Sequence, residues 1–160
     1  MSPYETSLGS QDPLVALAET PERIREFIGR MGMADFTRPF APGKWNAREI
    51  LIHLAHAEMA YGFRVRLALS TEPYVVQPFD QDAFIAREPL LEATAALAAY
   101  YAMRRWNLPL FRSLSPDERA KTFVHPERGE ININTLLATV AEHELHHLAQ
   151  LQQIASQLRP

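Results

Sequence analysis

Apolar residues recur at steps of three and four along four stretches of the chain, and this periodicity predicts four helices. The first stretch begins at Asp12 and ends near Met31. Pro21 lies inside it, and we expect a kink or a restart there because proline cannot donate a backbone hydrogen bond. The second stretch begins at Asn46, which forms an N-terminal capping pattern with Glu49 three residues later, and it ends near residue 70.

The second half of the chain contains the third and fourth helices with a turn-rich segment between them. The third helix is expected over residues 89–113, with Pro89 in its first turn and Pro109 near an end that this proline could shorten. Residues 122–133 are expected to form a loop or a short hairpin with a glycine at its tip. The fourth helix is expected to begin near residue 132 or 134 and to continue to about residue 158.

These elements predict an all-α fold, a four-helix bundle with long crossover connections. The connections after the second and third helices, such as the extended segment at residues 72–81, are longer than an up-and-down bundle requires. We expect residues 1–11 to form a polar N-terminal arm and residues 12–160 to form one bundle domain.

Composition narrows the classes of function. The 160-residue chain has no cysteine, which excludes disulfide scaffolds, thiolate nucleophiles, iron–sulfur ligation and zinc-finger sites. Sixteen basic and nineteen acidic residues give a net charge of −3, so we expect neither a nucleic-acid partner nor binding to an anionic membrane. No apolar run approaches the length of a membrane span, and the first residues do not form a secretory signal. We therefore expect a cytoplasmic location.

Five of the six histidines fall into two helical clusters, which are His53 and His56 in the second helix and His143, His146 and His147 in the fourth. Residues four apart lie on one helix face, so His143 and His147 can bind one ion, and His53 is the expected third ligand. Three neutral imidazoles leave a coordination position open, as in catalytic metal sites. The alternative is that these histidines are only polar residues on partly exposed helix faces.

The segment from His143 to His147 also fits the pattern of zinc metalloproteases, in which a glutamate in the position of Glu144 is the general base. Gln150 and Gln153 occupy the places where one form of that pattern requires a glycine and a third histidine. Glu144 is also about 100° away from the helix face of His143. We therefore disfavour a protease and expect Glu144 to be a surface charge.

Five other residues are expected to have ordinary roles. Arg104 and Arg105 fit a solvated helix face, and Trp45 and Trp106 fit anchors of the core. His125 lies in the turn-rich segment, where a lone histidine is usually solvated.

Two motifs resemble those of the DinB-like superfamily. Residues 44–58 (KWNAREILIHLAHAE) resemble its second-helix motif, and residues 143–150 (HELHHLAQ) resemble its C-terminal motif. The similarity is greatest to the YfiT-type branch of metal-dependent hydrolases, which residues 77–80 and 124–127 also resemble. This resemblance, which extends over residues 12–158, implies a four-helix bundle, a divalent metal such as zinc or nickel, and a homodimer.

Carried over by position, the resemblance implies that the metal ligands are His53, His143 and His147. Related proteins include transferases that use bacillithiol or mycothiol and a thiol-dependent isomerase. His56 stands where many relatives have an acidic residue, so a role that depends on that carboxylate is in doubt, and His56 could support a ligand, bind the metal itself or be a surface residue.

The expected function is metal-dependent hydrolysis of a small molecule. Two alternatives stay open, which are metal-dependent transfer of an external low-molecular-weight thiol and a non-catalytic metal-binding module. A metal could lower the pKa of a bound water or hold a thiol as thiolate. No general base is identified, because Glu49 fits a helix cap and Glu142 has no assignable role.

Overall fold

The computed structural model describes residues 8–39 and 41–158, in which four long helices form a bundle. The helices and strands are α1 (Pro13–Ile28), a 3₁₀ helix (Met33–Thr37), α2 (Ala47–Ser70), α3 (Gln81–Ala86), α4 (Ala93–Ser113), α5 (Pro116–Ala120), β1 (Thr122–His125), β2 (Gly129–Asn132) and α6 (Ile133–Leu158). The predicted all-α four-helix bundle is confirmed.

A polar layer separates two apolar clusters in the bundle. One cluster joins the first half of α2 to the second half of α6, and the other joins the second half of α2 to the first half of α6. The two helices are therefore antiparallel. Buried polar and charged side chains lie between the clusters on α2, α4 and α6, and these are His53, Glu58, Arg104, Asn107, His143, Glu144 and His147.

The start of α2 depends on the cap that its sequence predicts. The backbone N–H of Glu49 donates to Asn46 Oδ1 and the backbone N–H of Asn46 donates to Glu49 Oε2, each at 2.9 Å. This reciprocal pair satisfies two N–H groups that a helix start leaves without partners. The predicted capping role of Glu49 is thereby confirmed.

Helix α1 continues through Pro21, so the expected restart at this residue is wrong. Proline at this position leaves the carbonyl of Leu17, four residues earlier, without its helical donor. The guanidinium of Arg104 on α4 donates to that carbonyl at 2.7 Å. A bond between helices therefore replaces the missing bond within the helix.

Helix α4 begins at Ala93 and not at Pro89, and it continues past Pro109. Arg48 explains the later start, because its guanidinium donates to the carbonyls of Glu88 at 2.5 Å and Leu91 at 2.7 Å. These carbonyls bind a side chain of α2 and hold the segment before α4 as a loop against that helix.

The crossover after α2 is extended and pairs with the hairpin. Val76 N–H donates to Val124 O at 2.9 Å, and Val124 N–H donates to Tyr74 O at 3.0 Å. Strands β1 and β2 form the antiparallel hairpin that the sequence allowed, with Gly129 at a φ of 72°, a left-handed conformation that favours glycine. The pairing places the crossover alongside β1.

The N-terminal arm predicted at residues 1–11 lies mostly outside the described residues, and the domain boundary stays a prediction. Within residues 8–39 and 41–158, no helix has the length and apolar character needed to cross a membrane. The cytoplasmic location also stays a prediction.

A buried ion triad forms the centre of the polar layer. Arg104 on α4 donates to Glu58 on α2, with Nε 3.1 Å from Oε1, and to Glu144 on α6, with NH1 3.0 Å from Oε2, and its NH2 contacts both carboxylates. All three side chains are almost completely buried. The expectations that Arg104 is solvated and that Glu144 is a surface charge are therefore wrong. Trp106, expected in the core, is 68% exposed.

We predict that Arg104→Met lowers the free energy of unfolding by about 3–5 kcal/mol, because it leaves two buried carboxylates without their cation. Urea denaturation measures this change, and Arg105→Met on the exposed neighbour is the matched control. Adding Glu58→Gln and Glu144→Gln to Arg104→Met should recover much of the loss. A loss below 1 kcal/mol in the single variant would contradict the role given to the triad.

Candidate metal centre

The structure brings together the three histidines that were predicted as metal ligands. His53 projects from α2, and His143 and His147 project from successive turns of α6. His143 Nε2 lies 2.7 Å from His53 Nε2 and 3.0 Å from His147 Nε2. All three side chains are buried. Three ring nitrogens from two helices therefore converge on one small volume.

Hydrogen bonding among these rings does not satisfy all three converging nitrogens. His147 Nδ1 lies 2.8 Å from Gln150 Oε1, an acceptor, so Nδ1 carries the proton and Nε2 presents a lone pair. His143 Nε2 can either donate or accept in the neutral ring, yet it faces two other Nε2 atoms. A cation shared by the three lone pairs satisfies all of them.

The site keeps its imidazoles neutral. Burial, followed by the charge of His56, lowers the pKa of His53 to about 4. Burial, followed by the charge of His53, lowers the pKa of His147 to about 3. Burial also lowers the pKa of His143 well below its usual value, with a further contribution from His147. All three rings are unprotonated near neutral pH, which is the form that binds metal ions.

The donor set fits a divalent ion. The three ligand nitrogens lie within 4.8 Å of one another, and no fourth histidine or carboxylate joins the group in the described part of the chain. Two nitrogens bound to one tetrahedral ion are about 3.4 Å apart for bond lengths of roughly 2.1 Å, so small ring movements would accommodate it. Three imidazoles suit zinc, nickel, copper or iron better than the hard cations calcium and magnesium.

An open cleft of about 260 Å³ borders the cluster and is lined by His147, His146, Trp45, Asp82 and Gln150, among others. The ring of Trp45 lies 4.8 Å from that of His53, and its Nε1 donates to Asp82 Oδ1 at 2.9 Å. Trp45 also packs against the core, as expected. The cleft gives a small molecule a route to the histidines.

The other three histidines lie outside the group of three. His56 is buried, its Nε2 is 3.1 Å from a carboxylate oxygen of Glu88, and its ring is 5.4 Å from that of Phe84. His146 lines the cleft, and His125 ends β1. The structure therefore gives His56 a carboxylate partner, Glu88, from the segment before α4.

The chain was compared with models of known protein families. The family model of the DinB superfamily matches residues 16–151, which include the whole polar layer. The chain belongs to the DinB superfamily. The resemblance inferred from the two histidine motifs is thus confirmed.

Known relatives point to the same branch. The chain is 27% identical to a candidate metal-dependent hydrolase of Oceanobacillus iheyensis over 86% of this chain and 81% of the relative. It is 25% identical to the candidate metal-dependent hydrolase YfiT of Bacillus subtilis over 89% of this chain and 82% of the relative. These relatives support the YfiT-like assignment within the superfamily.

Solved structures share the fold. YfiT from Bacillus subtilis, a four-helix bundle of unusual topology, superposes with a TM-score of 0.82 at 22% identity over 91% of this chain and 85% of YfiT. The mycothiol-dependent maleylpyruvate isomerase superposes with a TM-score of 0.73 at 16% identity over 94% of this chain and 63% of the isomerase. The bundle of this chain is therefore shared by proteins with different names and chemistries.

We predict that the metal-free protein loses stability as pH falls from about 6.5 towards 4. The unfolded chain protonates His53, His143 and His147 in this range while the fold keeps them neutral, so each lowers the free energy of unfolding by up to about 1.4 kcal/mol per pH unit. Glu144 opposes this trend, because burial raises its pKa to about 7 and the fold binds its proton before the unfolded chain does. The three histidines together have a larger effect than this one glutamate, so the free energy of unfolding decreases as the pH falls.

Urea denaturation in the presence of a chelator, at pH 7, 6 and 5, measures this dependence. A variant with asparagine at the three histidine positions should show a flatter profile than the wild type. Equal profiles for the two proteins would show that these rings titrate normally.

Proposed function

We propose that the protein is a metal-dependent hydrolase in which His53, His143 and His147 hold one divalent ion, zinc or nickel. The observation that carries the proposal is the convergence of three buried, neutral imidazole nitrogens beside an open cleft. The relatives named as candidate metal-dependent hydrolases support it. The cleft, at about 260 Å³, is slightly smaller than most small-molecule sites, so the substrate we propose is a compact small molecule.

The residues of the site have different roles in this chemistry. A divalent ion held by three imidazoles acts as a Lewis acid and lowers the pKa of a nucleophile at its open position. Gln150 fixes the tautomer and orientation of His147 through the bond to Nδ1. Trp45 covers His53 with an apolar ring and limits the access of water from that side. Its bond to Asp82 anchors the rim of the cleft.

Thiol transfer is the second candidate reaction for the same site. It is favoured by the similarity of the fold to the mycothiol-dependent isomerase. The chain contains no cysteine, so the thiol in such a reaction would be an external molecule. A non-catalytic module is the third candidate. A closed shell of four protein ligands would favour it, and the group found among the described residues has three.

We predict that the purified wild-type protein binds one equivalent of zinc or nickel per chain and that His147→Ala abolishes this binding, because two imidazoles cannot hold the ion tightly. Elemental analysis after gel filtration measures the metal content. His125→Ala, which changes a histidine outside the group of three, is the matched control and should keep full occupancy. Full occupancy of His147→Ala would contradict the ligand assignment.

The same preparations distinguish the three candidate functions. A panel of esters, amides and electrophilic substrates is assayed with and without bacillithiol or mycothiol, using metal-loaded and metal-free protein. Metal-dependent turnover without thiol supports hydrolysis, and turnover only with thiol supports transfer. The absence of turnover in a fully loaded protein would favour the module.

We also propose that the chain forms a homodimer through an apolar face between α2 and α4. Met59, Phe63 and Trp106 are 52%, 61% and 68% exposed and line a groove of about 400 Å³. Contiguous exposed apolar surface of this kind marks interaction sites. Arg66 lies 4.3 Å from the centre of the Trp106 ring and helps to hold the ring in place. A second copy of the chain is the expected occupant, because the family resemblance implies homodimers.

We predict that Phe63→Glu converts a dimer into a monomer at micromolar concentration, because the charge would be buried in the interface. Sedimentation equilibrium measures the mass in solution. Leu90→Glu, which alters an exposed apolar residue outside this groove, is the matched control. A monomeric wild-type protein would exclude the dimer.

A further inference from the structure

Two arginines are buried in the bundle, and their surroundings differ. Arg104 is held by two carboxylates. Arg64 is 9% exposed, and no ion pair to it exists within residues 8–39 and 41–158. Buried charges are normally paired, because removal from water is costly. Arg64 is therefore a buried cation whose counter-charge is missing from the described chain.

The contacts of Arg64 are all neutral. Its NH2 donates to the backbone carbonyl of Gln77 at 3.2 Å, and its guanidinium lies 5.5 Å from the centre of the Tyr61 ring and 5.8 Å from that of Phe79. A carbonyl and two aromatic faces hold the side chain in position but do not neutralise it. Among residues 8–39 and 41–158, Gln77 supplies its one hydrogen-bond acceptor, so the other N–H groups of the guanidinium are available to a ligand.

Arg64 and the metal centre share one side of α2, with Tyr61 between them. It is eleven residues after His53, which places it within about 20° of the same face of α2, and helical side chains lean towards the N-terminus. The ring of Tyr61 contacts Arg64 on one side and lies 6.0 Å from the ring of His143 on the other. Tyr61 thus connects the guanidinium to the histidines.

A second arginine approaches the same region from the hairpin. Arg128 donates to Thr139 Oγ1 at 3.0 Å, and Thr139 lies one turn before His143 on α6. Arg128 therefore adds positive charge near the histidine cluster.

His125 lies close enough to both arginines to be affected by their charges. The pairing of β1 with the crossover brings the end of β1 next to Gln77, the residue that accepts from Arg64. Burial and then the charges of Arg64 and Arg128 lower the pKa of His125, against an opposing contribution from Glu127. His125 Nδ1 accepts from the Glu127 backbone N–H at 3.2 Å, so the neutral ring presents Nε2–H as a donor.

We propose that Arg64, Arg128 and His125 form a subsite that binds a carboxylate group of the substrate beside the metal centre. The planar donor fork of arginine matches a carboxylate with two parallel hydrogen bonds, and burial strengthens the ion pair. This inference rests on the proposed function in one respect, which is that the rest of the substrate reaches the ion held by the three histidines. The subsite deepens that function by naming the substrate class as carboxylate-bearing small molecules.

The first experiment needs no metal. The Arg64 Nε–H resonance, identified by its loss in Arg64→Gln, is followed by nitrogen–proton NMR while metal-free protein is titrated with glutarate or with its neutral diamide. We expect a saturable shift with glutarate and none with the diamide. Arg105→Gln, on the exposed face of α4, should leave the glutarate response unchanged. Equal responses to the two compounds, or no response to either, would overturn the proposal.

The second experiment links the subsite to the metal. Mercaptocarboxylates of two to five carbons and their amides bind cobalt-loaded protein through sulfur, which the thiolate–cobalt absorption reports. We expect the best carboxylate to bind at least about tenfold more tightly than its amide, the selectivity of a charged hydrogen bond. In Arg64→Gln, the ratio of the amide Kd to the carboxylate Kd should be close to one. A purely structural role of Arg64 would weaken both ligands equally.

The outcomes separate the two proposals. Failure of the wild-type protein to take up cobalt would contradict the metal centre, and the glutarate titration would still decide the subsite. Cobalt uptake with equal binding of carboxylate and amide would overturn the subsite alone. Arg128→Gln changes an exposed side chain, and it should lower the ratio partway even if Arg64→Gln does not fold.

Discussion

The guanidinium of Arg104 is the contact on which the arrangement of the bundle depends. It bonds a carboxylate on α2, a carboxylate on α6 and the α1 carbonyl that Pro21 leaves without a donor. One side chain of α4 therefore bonds to each of the other three long helices. The ion pairs and the histidines lie close together on the same two helices, since Glu58 is five residues after His53 and Glu144 follows His143. A slide of α2 against α6 by one turn, about 5.4 Å, would therefore separate both the ion pairs and the imidazoles.

The polar layer contains neutral imidazoles and charged ion pairs, and the geometry of the helices keeps the two groups apart. Burial keeps the imidazoles neutral, whereas the guanidinium of Arg104 stays charged between carboxylates that raise its pKa against the effect of burial. Glu144 follows His143 directly, but a step of about 100° around α6 directs it to Arg104 and away from the cleft. A glutamate bound in this way is unavailable as the general base of a metalloprotease, although the local sequence matches that pattern.

Periodic features of the sequence predicted the helices and the pairing of His143 with His147, because both follow from spacing along one helix. His53 lies on another helix, and its place beside that pair was expected from the family resemblance and from the need for a third ligand. The start of α4 was not predictable in this way, since it depends on Arg48, which binds carbonyls about forty residues away. The burial of Arg104 and Glu144 was missed for a related reason. In the sequence, a charged residue that is buried in an ion pair looks the same as a charged residue on the surface, because its partner lies on another helix. Trp106 shows the reverse error, because an aromatic residue at a helical position can face solvent.

Overall charge and local charge lead to different conclusions about ligands. A net charge of −3 argues against a polyanionic partner such as nucleic acid. A small anion responds instead to the local field of a few side chains, which is stronger where burial excludes water. The carboxylates nearest the core already neutralise Arg104, so they do not offset Arg64. With a divalent ion on neutral imidazoles, the α2–α6 side of the bundle would carry a concentrated positive charge within a protein that is acidic as a whole.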